Sequence, residues 1–317
     1  MFISVVIPTY NRRPILEKCL AALESQAGLY ISDLSFFETI DYEVIVVDDG
    51  STDGTPDWLR SQSASFPHIT LIEQKHSGPA EGRNRGVTYA RGDVILFIDS
   101  DLIVKDNFLL CHARALRSSW SRRGNRFTFT YGAVINTTNF ENPTSEPHKL
   151  FDLSWAYFAT GNVAIDRKVL EQSGMFDTSF HLYGWEDIEL GERLRQMGVD
   201  MVRCPKASGY HWHPALRLEQ IPHLIRLEHD RAKMGLVFYK KHPTWRVRFI
   251  IQFTWPHRLF WELITLGGLL NERSLRPLLT HLLRHGYSRV AMEILRLPLN
   301  LIAVRVLWRE AALVGIR

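Results

Sequence analysis

The sequence predicts an α/β protein with a mostly parallel sheet, and three observations support this fold class. Residues 94–98 (VILFI) form an unbroken apolar run, typical of a strand buried on both faces of a parallel sheet. Similar runs alternate with helical segments along the first hundred residues, as βαβ units require. Polar and acidic residues follow these runs directly, where ligands of open α/β sheets collect.

The predicted elements of this sheet follow one another closely. The strands are short apolar runs at 3–7, 43–47, 69–73 and 94–98. The helices between them cover residues 14 to about 27, the segment that begins near Asp53 or Thr55, and residues 78–91. Pro14 and Pro56 suit first helical turns, because the N–H that proline lacks is unpaired there in any case. Residues 28–41 are expected to form a loop.

Beyond residue 101 the pattern is weaker. Strands are expected at 127–135 and 199–203, and a helix at 186–197. In that helix Ile188, Leu190 and Leu194 recur at helical spacing. Residues 136–150 are rich in Asn, Thr and Pro and are expected to form a mobile loop.

Charge divides the chain into two parts. Residues 1–215 carry 21 Lys and Arg against 27 Asp and Glu, whereas residues 216–317 carry 17 against 7. We therefore expect one domain over 1–215 and a basic, Trp- and Arg-rich helical extension over 216–317. A uniformly basic nucleic-acid-binding protein would not have this distribution, so no nucleic-acid partner is expected. The three cysteines form no CxxC pair, which argues against a zinc site and favours a reducing compartment.

The end of the chain differs in composition. Residues 245–317 contain Arg but no Lys and hold four of the nine tryptophans. The most apolar stretch, 259–270, is shorter than the roughly 20 apolar residues that span a bilayer. Arg and Trp beside amphipathic segments are typical of helices in a membrane interface, so we expect peripheral membrane contact through 245–317. In the alternative, residues 245–317 form a helical cap that packs on the domain of residues 1–215 or on a second subunit.

The start of the chain bears on localisation. Residues 1–8 enter a strand without a basic segment and a signal-like apolar stretch. We therefore expect a cytoplasmic protein, with any peripheral contact on the inner face of the plasma membrane.

Two carboxylates one residue apart, Asp99 and Asp101, directly follow the strand at 94–98. They stand where the ligands of an open α/β sheet bind. Paired carboxylates at such a point are suited to hold a divalent cation against a phosphate.

Several motifs in order resemble those of family 2 glycosyltransferases of the GT-A fold. The first four are 5–12 (VVIPTYNR), 46–55 (VVDDGSTDGT), 82–86 (GRNRG) and 99–101 (DSD). Three more resemble the acceptor-side segments of that family: 160–162 (TGN), 174–177 (GMFD) and 184–187 (GWED). The resemblance covers about residues 3–214. It implies transfer of a sugar, expected from a UDP-sugar, to an acceptor hydroxyl in polysaccharide or glycolipid synthesis.

The nucleotide is expected at the first motifs. An aromatic ring after the first strand suits stacking on a nucleobase, and the resemblance places Pro8, Tyr10 and Asp49 against uracil, with Arg12 nearby. The other residues expected to bind the donor are Thr9, Arg83, Asn84, Asp99 and Ser100. Arginine suits bidentate phosphate contacts. The alternative for Asp49 is a simple Asp-Gly turn.

The resemblance also implies a cation site. Asp101 would be a direct ligand of Mn²⁺ or Mg²⁺, and Asp99 would contact the ribose or a cation-bound water. A histidine in 210–213 (YHWH) would complete the site. We favour His211, because it follows an aromatic residue as in the family pattern, and His213 is the second choice.

Asp187 is expected to be the general base that deprotonates the acceptor hydroxyl, with Glu186 shaping the acceptor site. It opens the predicted helix at 186–197, where the helix dipole favours an ionised carboxylate. Capping of that helix is the alternative role of both acids. An aspartate at this point indicates inversion, whereas an asparagine would indicate retention.

Three further residues, Gly161, Asn162 and Trp185, are expected to bind the acceptor or the sugar. An aromatic face such as that of Trp185 packs against pyranose C–H groups. The Gln-x-x-Arg-Trp signature of processive family members is missing, which indicates one sugar transferred per encounter.

Two other functions fit parts of the pattern. A nicotinamide-dependent oxidoreductase would also carry an acid after the second strand, but residues 8–12 replace the glycine-rich turn that it needs. The other alternative is a catalytically inactive binding protein of the same fold, and the presence of every expected acid argues against it.

Overall fold

The computed structural model describes residues 1–26, 29–33, 36–145 and 157–316. They divide into two compact units. The N-terminal unit comprises Met1–His181 and Glu186–His213, and the C-terminal unit comprises Leu182–Trp185 and Pro214–Arg317. We expected one domain to end at residue 215 and the next to begin at residue 216. This boundary lies close to the junction between His213 and Pro214, and the expected domains stay a prediction.

The strands of the described chain form one large sheet and one hairpin. They are β1 (Phe2–Thr9), β2 (Tyr30–Asp33), β3 (Phe36–Thr39), β4 (Asp41–Asp48), β5 (Ile69–Glu73), β6 (Val94–Ile98), β7 (Leu102–Val104), β8 (Thr128–Thr137), β9 (Asn162–Asp166) and β10 (Asp200–Trp212). Strands β2 and β3 pair as the hairpin, and the other eight form a sheet in the order β5-β4-β1-β6-β9-β8-β10-β7. Neighbours pair in parallel except at β9 and β7. The predicted mostly parallel α/β sheet is confirmed.

Helices surround this sheet and make up the C-terminal unit. The N-terminal unit contains α1 (Arg13–Glu24), α2 (Thr55–Ser61), α3 (Pro79–Tyr89), α4 (Phe108–Arg123), α5 (Arg167–Gln172) and α6 (Glu186–Gln196). The C-terminal unit contains α7 (Ile221–Lys241), α8 (Trp245–Ile250), α9 (Trp255–Ile264), α10 (Arg276–Arg284) and α11 (Ser288–Leu313). Among the described helices, none combines the length and the apolar composition that crossing a bilayer requires.

The central strand β6 is apolar throughout because both of its faces are covered. Val94, Leu96 and Ile98 belong to a hydrophobic cluster with residues of α1 and α4. Ile95 and Phe97, which point to the opposite face, belong to a second cluster with residues of α3 and α6. The strand is therefore fixed on both sides, and the acids that follow it start from a rigid support.

Two strands depart from the sequence-based expectation. The strand expected at 199–203 continues as β10 to Trp212, after an irregularity in pairing between Cys204 and Ser208. A bulge of this kind interrupts the alternation by which strands are recognised in sequence. The loop expected at 28–41 contains the hairpin of β2 and β3.

Two boundaries also differ. The helix expected to extend to about residue 27 ends at Glu24 as α1, and residue 27 lies outside the described residues. Of the mobile loop expected at 136–150, residues 136 and 137 end strand β8, and Pro143–Ser145 form a short 3₁₀ helix. Residues 146–150 lie outside the described residues.

A buried hydrogen-bond network ties α4 to three strands. His112 Nε2 donates to Asn162 Oδ1 at 2.8 Å, which leaves Nδ1 to accept from the Thr130 hydroxyl at 2.8 Å. The Asn162 amide donates to the carbonyls of Ala133 and Ala207 at 3.1 and 2.9 Å. Burial lowers the pKa of His112 to about 4. A neutral imidazole therefore holds β8, β9 and β10 together.

Replacement of His112 by glutamine is expected to cost about 1–3 kcal/mol of unfolding free energy near pH 7, because buried partners lose their hydrogen bonds. The difference should shrink by about 2 kcal/mol near pH 5. The wild-type imidazole has a folded pKa below its ordinary 6.5. The unfolded chain therefore binds the extra proton, and wild-type stability falls as the pH falls. Urea unfolding curves measure this, and a pH-independent difference would contradict the role of His112.

Candidate functional site

The polar residues that follow the parallel strands meet at one edge of the sheet. Thr9, at the end of β1, pairs with Asp48, at the end of β4, and β6 pairs with β1 on its other side. The carboxyl ends of these strands therefore lie side by side. The packing of α3 against β1 is close, since a Cβ on Gly82 would stand 3.4 Å from the Cβ of Pro8.

Three side chains at this edge form a group with the donor atoms of a metal site. One atom each of Asp99, Asp101 and His211 lies within 4.8 Å of the others. His211 Nε2 is 2.7 Å from Asp101 Oδ1 and 4.0 Å from Asp99 Oδ2. Strand β10 brings the imidazole there, because His211 pairs with Leu102 of β7 immediately after the two acids. Carboxylate oxygens and one imidazole nitrogen fit Mn²⁺.

Charges around this group keep Asp101 ionised. Burial opposes ionisation, but the hydrogen bond from His211 and the charges of His211 and Arg12 lower the pKa of Asp101. Burial likewise disfavours the imidazolium, yet the hydrogen bond and charge of Asp101 raise the pKa of His211. Arg12 Nη1 lies 2.8 Å from Asp101 Oδ2. Arg12 thus contacts the predicted metal ligand, and its expected place near uracil stays a prediction.

His213 lies beside the group without joining it. Its ring centroid is 4.1 Å from that of His211, at an interplanar angle of 64°. Burial, followed by the charge of His211, lowers the pKa of His213 to about 4, so its imidazole is neutral near pH 7. The three-residue group contains His211, the first choice of the sequence analysis, and not His213.

Arg83 connects Asp99 of the Asp-Asp-His group to Glu186 at the start of α6. Its guanidinium lies 3.3 Å from Asp99 Oδ1 and 3.0 Å from Glu186 Oε1. Only 5% of Arg83 is exposed, and its guanidinium lies 5.6 Å from the ring centroid of Phe176. This burial excludes the alternative that Arg83 lies on a solvent-exposed face of α3. The buried arginine fixes Asp99 and Glu186 relative to each other.

Asp187 is held at the start of α6 by two backbone N–H groups. Its Oδ1 accepts from Ile188 at 2.7 Å, and its Oδ2 accepts from Thr160 at 3.4 Å. The next residue, Gly161, approaches Asp99 so closely that a Cβ there would stand 3.2 Å from Asp99 Oδ2. Residues 160 and 161 therefore lie between the two carboxylates. This arrangement brings Asp187 to the same edge of the sheet as the group of Asp99, Asp101 and His211.

The environment of Asp187 makes it a much weaker acid than an ordinary aspartate. Burial, followed by the negative charge of Glu186, raises the pKa of Asp187 to about 7, against the opposing charge of Arg83 and its two backbone hydrogen bonds. A carboxylate with such a pKa can both accept and release a proton near neutral pH.

The turn before α6 has an unusual backbone. Gly184 has φ of +95° and Trp185 has φ of +76°, the latter rare for a bulky side chain. Trp185 belongs to the C-terminal unit, where its indole N–H donates to the carbonyl of Arg231 at 2.7 Å. The Arg231 guanidinium lies 6.0 Å from its ring centroid. The sugar contact expected of Trp185 stays a prediction.

On the nucleotide side, the carboxylate of Asp49 already has four partners. Its Oδ1 accepts from Gln74 Nε2 at 2.7 Å and from the Ser77 N–H at 2.8 Å. Its Oδ2 accepts from the Gly78 N–H at 2.9 Å and lies 2.8 Å from His76 Nδ1. Four partners fill the acceptor capacity of a carboxylate. A nucleobase N–H can bind Asp49 only in place of one of them.

His76 is a site residue that the sequence analysis missed. It is mostly exposed, and its ring stacks on the half-exposed ring of Tyr10 with centroids 4.4 Å apart. The His76 ring therefore makes the two contacts that are expected of a nucleobase, one with Tyr10 and one with Asp49. The available signal was its position just after β5, at the same edge of the sheet as Asp49.

Other expected donor or acceptor contacts are made within the protein. Asn84 pairs with the backbone of Phe176, donating to its carbonyl at 2.8 Å and accepting from its N–H at 3.0 Å. Asn162 is fully buried, and all its amide hydrogen bonds serve the network of His112. Both amides thus have a role in packing, and the ligand contacts expected of them stay predictions. Thr9 and Ser100 are also buried.

Sequence profiles of known families agree with this geometry. The profile described as "Glycosyl transferase family 2" matches residues 4–174, more than half of the chain. A second profile, "N-terminal domain of galactosyltransferase", matches residues 144–215. An uncharacterized glycosyltransferase of Bacillus subtilis (strain 168), YfnE, is 28% identical, and the match covers 67% of this chain. The chain spans 65% of that protein, which is less than two thirds of its length.

Solved structures share the fold. The mannosyltransferase PcManGT from Pyrobaculum calidifontis, solved with GDP-Man and Mn²⁺, superposes with a TM-score of 0.61 at 20% identity. That match covers 97% of this chain and 87% of the other. GalNAc-T7, solved with UDP, GalNAc and Mn²⁺, gives a TM-score of 0.51 at 16% identity over 67% of this chain and 43% of the other. These likenesses confirm the expected GT-A fold, and neither alternative function is favoured.

The Asp-Asp-His group is expected to bind Mn²⁺. Replacement of Asp101 by asparagine should weaken this binding by at least about tenfold, since a charged oxygen ligand is lost. The loss of the free Mn²⁺ signal in electron paramagnetic resonance measures binding. His213→Ala, the matched control for His211→Ala, should bind Mn²⁺ like the wild type. Binding lost in His213→Ala but kept in His211→Ala would contradict this assignment.

Proposed function

The chain belongs to glycosyl transferase family 2 and is a glycosyltransferase, and on this premise we propose that it inverts the anomeric carbon of a nucleotide sugar in a metal-dependent, non-processive transfer. The donor is a UDP-sugar, and the acceptor hydroxyl belongs to a polysaccharide or a glycolipid of the cell envelope. The observation that carries the proposal is the position of the Asp187 carboxylate, at an edge that Arg83 and residues 160–161 share with the Asp-Asp-His group.

Asp187 is proposed as the general base of a single displacement. The acceptor O–H gives its proton to the carboxylate while its oxygen bonds to the anomeric carbon. The bond from that carbon to the diphosphate oxygen breaks, and its electron pair leaves with the nucleoside diphosphate. One displacement inverts the configuration. A base with a pKa near the working pH is about half ionised before the reaction and is still a good proton acceptor during it.

The metal-side residues are proposed to bind the leaving group. Asp101 and His211 would hold Mn²⁺ or Mg²⁺, with Asp99 beside them, and a bound cation supplies charge stabilisation to a departing diphosphate. Arg12, which is 45% exposed at its side chain, is free enough to turn from Asp101 towards a phosphate. The buried Arg83 is proposed to keep Asp99 and Glu186 in position. The Mn²⁺ and nucleotide named with PcManGT and GalNAc-T7 support this proposal.

Uracil is proposed to take the place of the His76 ring. It would stack on Tyr10 and donate its N–H to the Asp49 oxygen that His76 now contacts. The His76 side chain is 60% exposed, whereas Ser77 and Gly78 bind Asp49 through backbone N–H groups, so His76 is the partner that we propose to leave. Gly161 and Trp185 remain the proposed acceptor-side residues. Residues 245–317 are proposed to give the enzyme peripheral contact with the inner face of the plasma membrane.

Replacement of Asp187 by asparagine is expected to lower kcat by about 10²–10⁴-fold, because the amide cannot take the acceptor proton. The Kd for UDP with Mn²⁺ should stay within a factor of about two, since Asp187 binds no part of the nucleotide. A panel of nucleotide sugars, read by released nucleoside diphosphate, supplies the donor. Asp57→Asn, which changes a carboxylate that is 89% exposed, is the control and should keep full activity. Undiminished turnover in the Asp187 variant would refute the base assignment.

The pH dependence of kcat/KM gives an independent test. Because the pKa of Asp187 is raised, its protonated, inactive form is populated below about pH 7. We expect kcat/KM to fall about tenfold per pH unit below pH 7 and to level off above it. A profile that stays flat down to about pH 5 would mean that the essential carboxylate has an ordinary pKa.

A further inference from the structure

Helix α9 (Trp255–Ile264) turns its apolar side chains away from the protein. None of its residues is buried, although six of its ten residues have large apolar side chains. Trp255, Leu259 and Leu263 recur four residues apart, so they form one row along the helix. They are 65%, 43% and 65% exposed. A surface helix of a globular protein normally buries such a row.

The polar side of α9 faces the rest of the C-terminal unit instead. The Glu262 carboxylate accepts two hydrogen bonds from Arg305 of α11, at 2.8 and 2.6 Å. The Arg258 guanidinium lies 5.3 Å from the ring centroid of Trp308, also on α11. Thr265, just after the helix, is fully buried. The helix is thus attached through Arg258, Glu262 and the half-buried Trp261, whose indole N–H donates to Gln252 at 2.6 Å, while its other large apolar side chains stay exposed.

The exposed apolar surface continues on both sides of α9. The large apolar side chains of the segment 245–269 that are more than half exposed are Trp245, Phe249, Trp255, Leu263, Leu266 and Leu269. The ring of Phe249 packs on that of His257 with centroids 4.8 Å apart, so α8 is joined to α9. Arg305 also donates to the carbonyl of Gly267 at 2.9 Å, which fixes the turn after α9. These contacts hold the segment in an ordered conformation that displays apolar side chains.

An exposed apolar surface of this kind normally marks a binding site. A second copy of the chain is a poor occupant, because a two-fold contact would bring two strongly basic units together. Residues 214–317 carry 17 Lys and Arg against 7 Asp and Glu. An anionic lipid surface attracts this net positive charge. The interface of the bilayer also accepts tryptophan rings and leucine side chains.

We propose that α8, α9 and the turn that follows form a membrane-docking surface for an anionic bilayer, with α9 lying in the plane of the interface. Leu263, Leu266 and Leu269 enter the acyl boundary, and Trp245 and Trp255 lie at the level of the headgroups. Basic residues of the C-terminal unit supply the electrostatic attraction. This proposal rests on the peripheral membrane contact proposed above for residues 245–317 and specifies the surface that makes it, and it holds or fails independently of the transfer chemistry.

The test is vesicle flotation of the full chain with phosphatidylcholine vesicles, with and without phosphatidylglycerol. We expect binding only when the anionic lipid is present, and weaker binding at high salt because charge attraction is screened. Leu269→Glu should reduce the partition coefficient about tenfold, the loss expected from withdrawing one leucine from an apolar phase. Leu313→Glu is the matched control. It makes the same change of type and charge in the same unit, at a side chain 75% exposed against 73% for Leu269.

The outcomes separate this proposal from its competitors. Equal loss of binding in Leu269→Glu and Leu313→Glu would show that charge alone is responsible, and it would overturn the docking surface. Failure of the wild type to float with either vesicle would overturn it as well. Sedimentation velocity adds a further arm, in which a dimer that Leu269→Glu dissociates would assign the surface to a second copy. Release of nucleoside diphosphate in solution, measured on the same variants, reports separately on the proposed transfer.

Discussion

The two ion pairs of Arg83 are the interaction on which the site depends. The guanidinium is almost completely buried and contacts Asp99 on one side and Glu186 on the other. Removal of either acid would leave one N–H group of the buried guanidinium without its hydrogen-bond partner, so the three residues are fixed together. Through them the end of β6 and the start of α6 share one edge of the sheet. Arg83 also limits the rise in the pKa of Asp187, which would be larger beside an unpaired Glu186.

The local sequence pattern was sufficient to predict β1, β4, β5 and β6, the strands whose carboxyl ends form this edge of the sheet. The strands β1, β4 and β6 contain runs of three to five consecutive apolar residues, and β5 contains Ile69, Leu71 and Ile72; short apolar segments of this kind, bounded by turn residues, indicate buried strands. Strand β10 was underestimated because its bulge breaks the alternation, and the hairpin of β2 and β3 was missed because its short strands lie in a segment without clear periodicity. Asp99, Asp101 and His211 were identified from motif order and lie together.

Roles that depend on the partners of a side chain could not be obtained in the same way. Asn162 stands in a motif that suggests a ligand contact, yet His112, distant in sequence, uses its amide. His76 makes contacts that only folding reveals. Helix α9 is the clearest case, since its amphipathic pattern is visible in the sequence but the side that faces inward is decided by Arg305 on another helix. Pattern therefore predicts which residues lie near the site better than it predicts what each one contacts.

The central claim is that one edge of the sheet holds a divalent cation and the acceptor-side base together. Anomalous diffraction from crystals grown with Mn²⁺ and UDP tests it most directly. The account predicts one manganese peak bonded to Asp101 and His211, with Arg83 still bridging Asp99 and Glu186 and the Asp187 carboxylate facing the same cleft. A manganese peak elsewhere, or an Asp187 carboxylate turned away from the nucleotide, would contradict it.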